Sequence, residues 1–137
     1  MSDDELLQTL GEHHRIILSG LGEIRFYCAA SYPKIANLDA ARSRLSRASL
    51  ARSKFVSEKM VPRLLENADA DLRDDLSKLL SVFQAKRQIS ASHVAIWTPV
   101  TIAQDWEGYR AAARLIWTMM EKQIDHERSD LGDRLIA

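Results

Sequence analysis

The fold of this chain is indicated most clearly by residues 98–135, which read TPVTIAQDWEGYRAAARLIWTMMEKQIDHERSDLGDRL. Apolar residues recur there every three or four positions, at Trp106, Tyr109, Ala113, Ile116 and Met120, and Leu131 follows in step. This spacing is typical of an amphipathic helix that packs against other helices. The same face also carries Gln123 and Glu127. We therefore expect both side chains to be buried and to bind a partner, because an unpaired buried polar group is costly.

Three further segments have helical spacing, at residues 3–30, 37–67 and 71–97. The first ends before Pro33, since the residue that precedes a proline is disfavoured in a helix. In the second, Pro62 is expected to bend the final turn. The last segment opens with Thr98 and Pro99, a favourable N-cap and first helical residue. Four helical segments with short turns and no strand alternation predict an all-α fold, an up-down-up-down four-helix bundle that forms one domain over residues 1–137.

The composition excludes several classes of function. The chain has 19 basic and 19 acidic residues, so no net charge attracts it to nucleic acid or to an anionic membrane. The sequence contains no run of about 20 apolar residues, so no membrane helix is predicted. Its acidic start does not resemble a signal peptide. A cytoplasmic protein is therefore expected. The single cysteine, Cys28, excludes an internal disulfide and an all-cysteine zinc site. Its apolar neighbours indicate a buried, unreactive thiol.

The four histidines are candidate metal ligands. His13 and His14 both fall on apolar lines of the first segment, so one of them is expected to face inward. It is either a hydrogen-bonded residue at the core edge or a metal ligand. His93 lies inward or at the margin of the third segment, whereas His126 lies off the apolar face and is expected to be exposed. No Glu-x-x-His motif and no histidine pair four residues apart occurs, so the spacing of a complete di-metal centre is absent.

Residues 42–63 carry seven basic residues and a single acidic one, Glu58. On a helix these charges scatter around the circumference, which favours a solvated surface. A binding surface for an anion or an acidic partner is the alternative. The chain contains no glycine-rich phosphate loop, nucleophile elbow or Cys/His dyad, so no enzymatic activity is predicted.

Two stretches, EHHRI at residues 12–16 and QIDHE at residues 123–127, resemble motifs of the hemerythrin-like (HHE cation-binding) family. The first is similar to the family's first-helix histidine with an isoleucine three residues on, which favours His13 over His14. The family's last helix usually reads His-Ile-x-x-Glu. Here Gln123 replaces the histidine, while Glu127 stands in the carboxylate position.

The second helix of that family carries a similar ligand pair ahead of a Leu-Phe-Pro-like run, which residues 60–62 match as MVP. Counting back from the proline puts Arg52 and Val56 at the ligand positions. A shift of two residues puts Lys54 and Glu58 there instead. The resemblance thus implies a four-helix bundle around an iron site that has lost several imidazole ligands.

The ligands that the resemblance leaves for a remnant metal site are His13, Glu58, His93 and Glu127. A cation at Arg52 or Lys54 would repel a divalent metal and pair with one of the two carboxylates. A di-iron centre needs several imidazole nitrogens and bridging carboxylates in one pocket. We therefore expect a polar or ion-paired cluster in place of the metal site, and no cofactor.

The resulting functional prediction is a non-catalytic, hemerythrin-like bundle that has lost its di-iron site. It is expected to act as a regulatory module through contact with another protein or with itself. The alternative is an iron-dependent sensor or carrier of iron, oxygen or nitric oxide, for which His13 or His14 must converge with His93, Glu58 and Glu127. A third hypothesis is a phosphotransfer bundle in which His13 or His14 accepts the phosphoryl group.

Overall fold

The computed structural model describes residues 1–136, and within that range every regular element is helical. The α-helices are α1 (Asp3–Cys28), α2 (Ile35–Phe55), α3 (Val61–Leu65), α4 (Ala70–Ile96), α5 (Pro99–Gln104), α6 (Trp106–His126) and α7 (Asp133–Ile136). Two π-helical turns, Val56–Met60 and Glu127–Gly132, join α2 to α3 and α6 to α7. The all-α prediction is confirmed. Ala137, the last residue of the predicted domain 1–137, lies outside the described residues.

The helix starts follow from local capping chemistry. Ser2 and Glu5 form a reciprocal capping box at the start of α1. The Asp69 carboxylate accepts a hydrogen bond of 2.8 Å from the backbone of Leu72 and begins α4. Thr98 caps α5, as its sequence position ahead of Pro99 predicts. These caps satisfy backbone N–H groups that have no partner within the helix.

The predicted helix over residues 98–135 is interrupted at Asp105, which corrects the sequence interpretation. Asp105 has φ −144° and ψ 75°, outside the helical region, and its carboxylate accepts a hydrogen bond of 2.9 Å from the backbone of Gly108. A Cβ atom on Gly108 would lie 2.1 Å from the Asp105 Oδ2 atom. Asp105 therefore ends α5 and caps α6. Its carboxylate binds the backbone N–H group of Gly108, and Gly108 has no Cβ atom that would clash with this carboxylate.

The bend that Pro62 predicts takes the form of a π-helical turn. The backbone N–H of Val61 donates to the carbonyl of Val56, five residues back rather than four. Pro62 has no N–H group to continue an α-helical ladder, and its ring would clash with the carbonyl four residues earlier. The wider turn over Val56–Met60 accommodates the proline. Helix α3, which includes Pro62, follows this turn and has five residues, Val61–Leu65.

Helix α1 supplies the centre of the packing. It packs against α2 and α6, and α4 packs against α6 and α3. The residues of α1 that are buried are Leu6, Leu10, His14, Ile17, Leu21, Ile24 and Cys28. A Cβ atom on Gly20 would lie 3.2 Å from the Leu45 side chain, so this glycine permits a close approach of α1 and α2. Among residues 1–136, no helix has both the length and the apolarity needed to cross a membrane.

Helix α4 is much less embedded than the other long helices. Of its 27 residues only Leu76 and Phe83 are buried, and both lie in its first half. From residue 84 to its end no side chain of α4 is buried. The second half of α4 therefore stands away from α2, and a cavity opens between them.

Candidate functional site

A buried cluster of polar side chains surrounds Glu127, which is 0% exposed. The His14 Nε2 atom lies 2.7 Å from the Glu127 Oε1 atom. The Arg52 guanidinium donates to Oε2, and the Gln123 side-chain amide donates to the same oxygen over 3.2 Å. All four side chains are at least nine-tenths buried. Glu127 thus accepts hydrogen bonds from three groups at once, as a buried carboxylate requires.

The four residues of the cluster come from α1, from α2 and from the end of α6 with the turn that follows it. His14 lies on the buried line of α1 between Leu10 and Ile17, and Arg52 belongs to the last turn of α2. Gln123 lies in the last turn of α6, and Glu127 follows it as the first residue of the second π-helical turn. The prediction that this polar pair is buried is confirmed, as is the expected ion pair between Glu127 and a cation from the second helical segment.

The electrostatics of the cluster keep Glu127 ionised. Burial by itself raises the pKa of Glu127, but the hydrogen bond from His14 and the charge of Arg52 outweigh it and hold this pKa below its usual value. Arg52 also donates to the Ser49 hydroxyl over 3.3 Å. Its Nε atom is buried and, within the described chain, has no hydrogen-bond partner.

The histidine of the cluster is His14, which corrects the sequence preference for His13. His13 is half-buried and packs against Phe55 with the two rings tilted, at 5.2 Å between the ring centroids. Burial, together with His14 and Arg52, lowers the pKa of His13. Successive residues of a helix project 100° apart, so only one of the two imidazoles can reach Glu127.

The other predicted ligands do not join the cluster. Glu58, which the resemblance placed among the ligands, is exposed on the first π-helical turn and does not converge with Glu127. His93 stacks on Tyr109 with 5.8 Å between the ring centroids, and burial and the charge of Arg42 lower its pKa to about 4. Within residues 1–136, no three His, Cys, Asp or Glu side chains are arranged to hold a metal ion.

The residues around Glu127 do not fit a di-iron centre. His14 is the single imidazole bonded to Glu127, and the Arg52 guanidinium already binds the second carboxylate oxygen. An iron ion at that oxygen would lie beside a fixed positive charge.

Two further predictions concern residues outside the cluster. His126 is exposed, as its position on the helix predicts. Cys28 is buried, and this burial raises the pKa of its thiol to about 11.

A cavity of about 440 Å³, which the sequence did not predict, lies among α1, α2, α4 and α6. Its lining combines apolar side chains, among them those of α1 and most of those of α6, with four basic side chains of α2 and α4: Arg42, Arg52, Lys86 and Arg87. The available signals were the basic composition of residues 42–63 and the shortage of apolar residues in the middle of the third segment. A second cavity, of about 360 Å³, lies on the other side of Arg52 and reaches Glu127.

Comparison of the chain with protein-family models, with curated proteins and with solved structures finds no match. The resemblance to the hemerythrin-like family therefore rests on the sequence motifs and stays a prediction. The function has to be argued from the cluster, the cavity and the exposed surfaces.

Proposed function

We propose that this chain is a non-catalytic regulatory module with the up-down-up-down arrangement of a hemerythrin-like bundle, in which an ion-paired cluster takes the place of the metal centre. It acts by contact with another protein, and we commit to a second copy of the chain as that partner. The observation that carries the metal-free assignment is the buried bond between the Arg52 guanidinium and the Glu127 carboxylate.

The positive charge next to Glu127 disfavours a metal ion at this site. A divalent ion bound there would have to displace a guanidinium that is itself buried, and Arg52 would then be left without its counter-ion. Leaving one member of a buried pair uncompensated costs about 3–5 kcal/mol. The remaining ligands, His14 and Glu127, are too few to offset that cost with a stable iron site.

The outer face of α4 carries exposed apolar side chains that support a contact function. Val82, Ile89 and Ile96 are 47%, 53% and 64% exposed and are spaced seven residues apart. At 100° per residue they form one stripe, turned away from the buried Leu76 and Phe83. Apolar residues that repeat every seven positions are the pattern by which two helices pack side by side. A second copy can offer the same stripe, so α4 would pair with α4 across a twofold axis.

Iron reconstitution tests the metal-free assignment. The purified chain is incubated anaerobically with ferrous iron, desalted, exposed to air and analysed for bound metal and for its visible absorption. We expect less than one iron per chain and no oxo-bridged absorption band. Two irons per chain with that band would refute the proposal and support the alternative, an iron-dependent sensor or carrier.

Sedimentation tests the contact. We expect a concentration-dependent dimer that Ile89→Lys abolishes, because a charge in the centre of the stripe would have to be desolvated. Leu115→Lys is the matched control, since Leu115 is 74% exposed on α6, away from the stripe. A monomer at all concentrations, or equal effects of the two lysines, would contradict the proposed self-contact.

A further inference from the structure

We propose that the cavity among α1, α2, α4 and α6 is a binding site for an amphipathic organic anion, whose apolar body enters the cavity and whose anionic head binds Arg42. Its volume of about 440 Å³ falls within the range of about 300–1,000 Å³ that is typical of small-molecule sites. The inference does not depend on the metal-free cluster or on the α4 stripe, because other residues carry it.

One part of the cavity lining consists of buried apolar side chains. Leu21, Ile24, Ala113 and Met120 line it and are themselves buried. The side chain of Tyr109, which is also buried, belongs to the same part of the lining. An apolar body placed against these residues would be removed from water, which favours binding by about 25 cal/mol for each Å² of apolar surface that is buried.

Another part of the lining carries positive charge without a matching negative charge. Arg42, Lys86 and Arg87 line the cavity, and none of them forms an ion pair within residues 1–136. None of the residues that line the cavity is acidic. The chain as a whole has no net charge, so this concentration of cations is local. A cavity of one charge sign attracts ligands of the opposite sign.

Arg42 is the residue that we assign to the anionic head. Its Nη2 atom is buried and has no hydrogen-bond partner in the described chain. Its guanidinium lies over the ring of Tyr109, 5.5 Å from the ring centroid, which fixes the position of the fork. A guanidinium held in this way can bind a carboxylate through two parallel hydrogen bonds. Arg42 forms no ion pair within residues 1–136, so an anion in the cavity would supply the counter-charge of this guanidinium.

Arg52 lines the same cavity, but its charge is already compensated. It is 5% exposed, and its nitrogens bind Glu127 and Ser49. We therefore assign the anionic head to Arg42 and not to Arg52.

Calorimetric titration with dodecanoate, below its micelle-forming concentration, tests the inference. Dodecan-1-ol is the matched neutral probe and dodecyl phosphate is a second anionic one. We expect one site per chain, and binding of dodecanoate or dodecyl phosphate at least about tenfold tighter than that of the alcohol, since a charge-assisted hydrogen bond is worth about 1.5–3 kcal/mol. The tighter of the two anions identifies the head group. No binding of either anion, or equal affinity for the alcohol, would overturn the proposal.

Two pairs of variants locate the site. Arg42→Gln is expected to weaken binding of the anion about tenfold and to leave the alcohol unchanged, whereas the exposed Arg47→Gln on the same helix changes neither. Ala91→Trp fills the cavity from the exposed side of α4 and should abolish binding of all probes, while Ala95→Trp, which is exposed and outside the lining, should not. Unchanged anion affinity in both Arg42→Gln and Ala91→Trp would place the ligand elsewhere and overturn the proposal. Circular dichroism verifies that each variant is folded.

Discussion

Replacement of Arg52 by methionine is the most direct measurement of what the buried cluster contributes. Methionine keeps an unbranched chain in the space of the arginine stem but removes the guanidinium. Glu127 would then be a carboxylate with no exposed surface, bonded to His14 and Gln123 alone. Loss of one partner of a buried pair costs about 3–5 kcal/mol. Because His14 and Gln123 still form hydrogen bonds with the carboxylate, we expect a value near the lower limit, about 3 kcal/mol.

Urea unfolding at pH 7, monitored by circular dichroism, measures this loss of unfolding free energy. The loss equals the change in the midpoint urea concentration multiplied by the slope of the free energy against urea concentration. Arg44→Met on the same helix is the control, because Arg44 and its partner Glu23 are 50% and 41% exposed and their ion pair is worth less than about 1 kcal/mol. The double variant Arg52→Met with Glu127→Gln should recover at least half of the loss, since it leaves no unpaired charge. A loss below about 1 kcal/mol in Arg52→Met would refute the view that Glu127 depends on the guanidinium.

Three further predictions concern other parts of the chain. The pKa of His93 is lowered from 6.5 to about 4 in the folded state. Between these two pH values the unfolded state binds a proton that the folded state does not, so the free energy of unfolding should decrease as the pH is lowered from 6.5 to about 4. His93→Gln should flatten this part of the pH profile of the unfolding free energy. Asp105→Ala should cost about 1 kcal/mol by removing the cap of α6, and Asp105→Asn almost nothing, in the same urea assay. The Cys28 thiol, with a pKa of about 11, should react with a disulfide reagent at pH 8 in denaturant but not in the folded protein.

The helices and the buried polar pair were predictable because their signals are local. The apolar spacing of residues 98–135 already placed Gln123 and Glu127 on the inner face, and both are buried. The break between α5 and α6 also has a local signal, an aspartate three residues before a glycine at Asp105 and Gly108. The sequence interpretation treated that stretch as continuous because the apolar spacing continues on both sides of the break.

The partner of Glu127 could not be chosen from the sequence alone. His13 and His14 both fit an apolar line of α1, and the family resemblance favoured the wrong one. Counting back from Pro62 gave Arg52, and a shift of two residues gave Lys54; in the structure Arg52 is buried and Lys54 is exposed. Which residue is used depends on how the helices are rotated about their own axes when they pack, and that rotation is a property of the whole core.

The cavity was not predictable for the same reason. Its basic residues come from α2 and α4 and are more than 30 positions apart in the sequence. The low burial of the second half of α4, which creates the space, is visible as a shortage of apolar residues in the sequence. That shortage alone does not distinguish a solvated helix from the wall of a cavity.

The π-helical turns have a consequence for how this chain tolerates changes in length. Each hydrogen-bonded ring there encloses one residue more than an α-helical ring, so each turn absorbs a residue that a regular helix would not hold. Deleting one residue from Ser57–Lys59 removes that extra residue, so the helix can wind regularly and Met60, which has no exposed surface, keeps its side of the helix. A deletion in the middle of α2 has no such extra residue to lose and rotates everything beyond it by about 100°. Loss of one residue should therefore be less damaging in this turn than in α2, and its cost here should come from Pro62, which loses the wide turn that accommodates it.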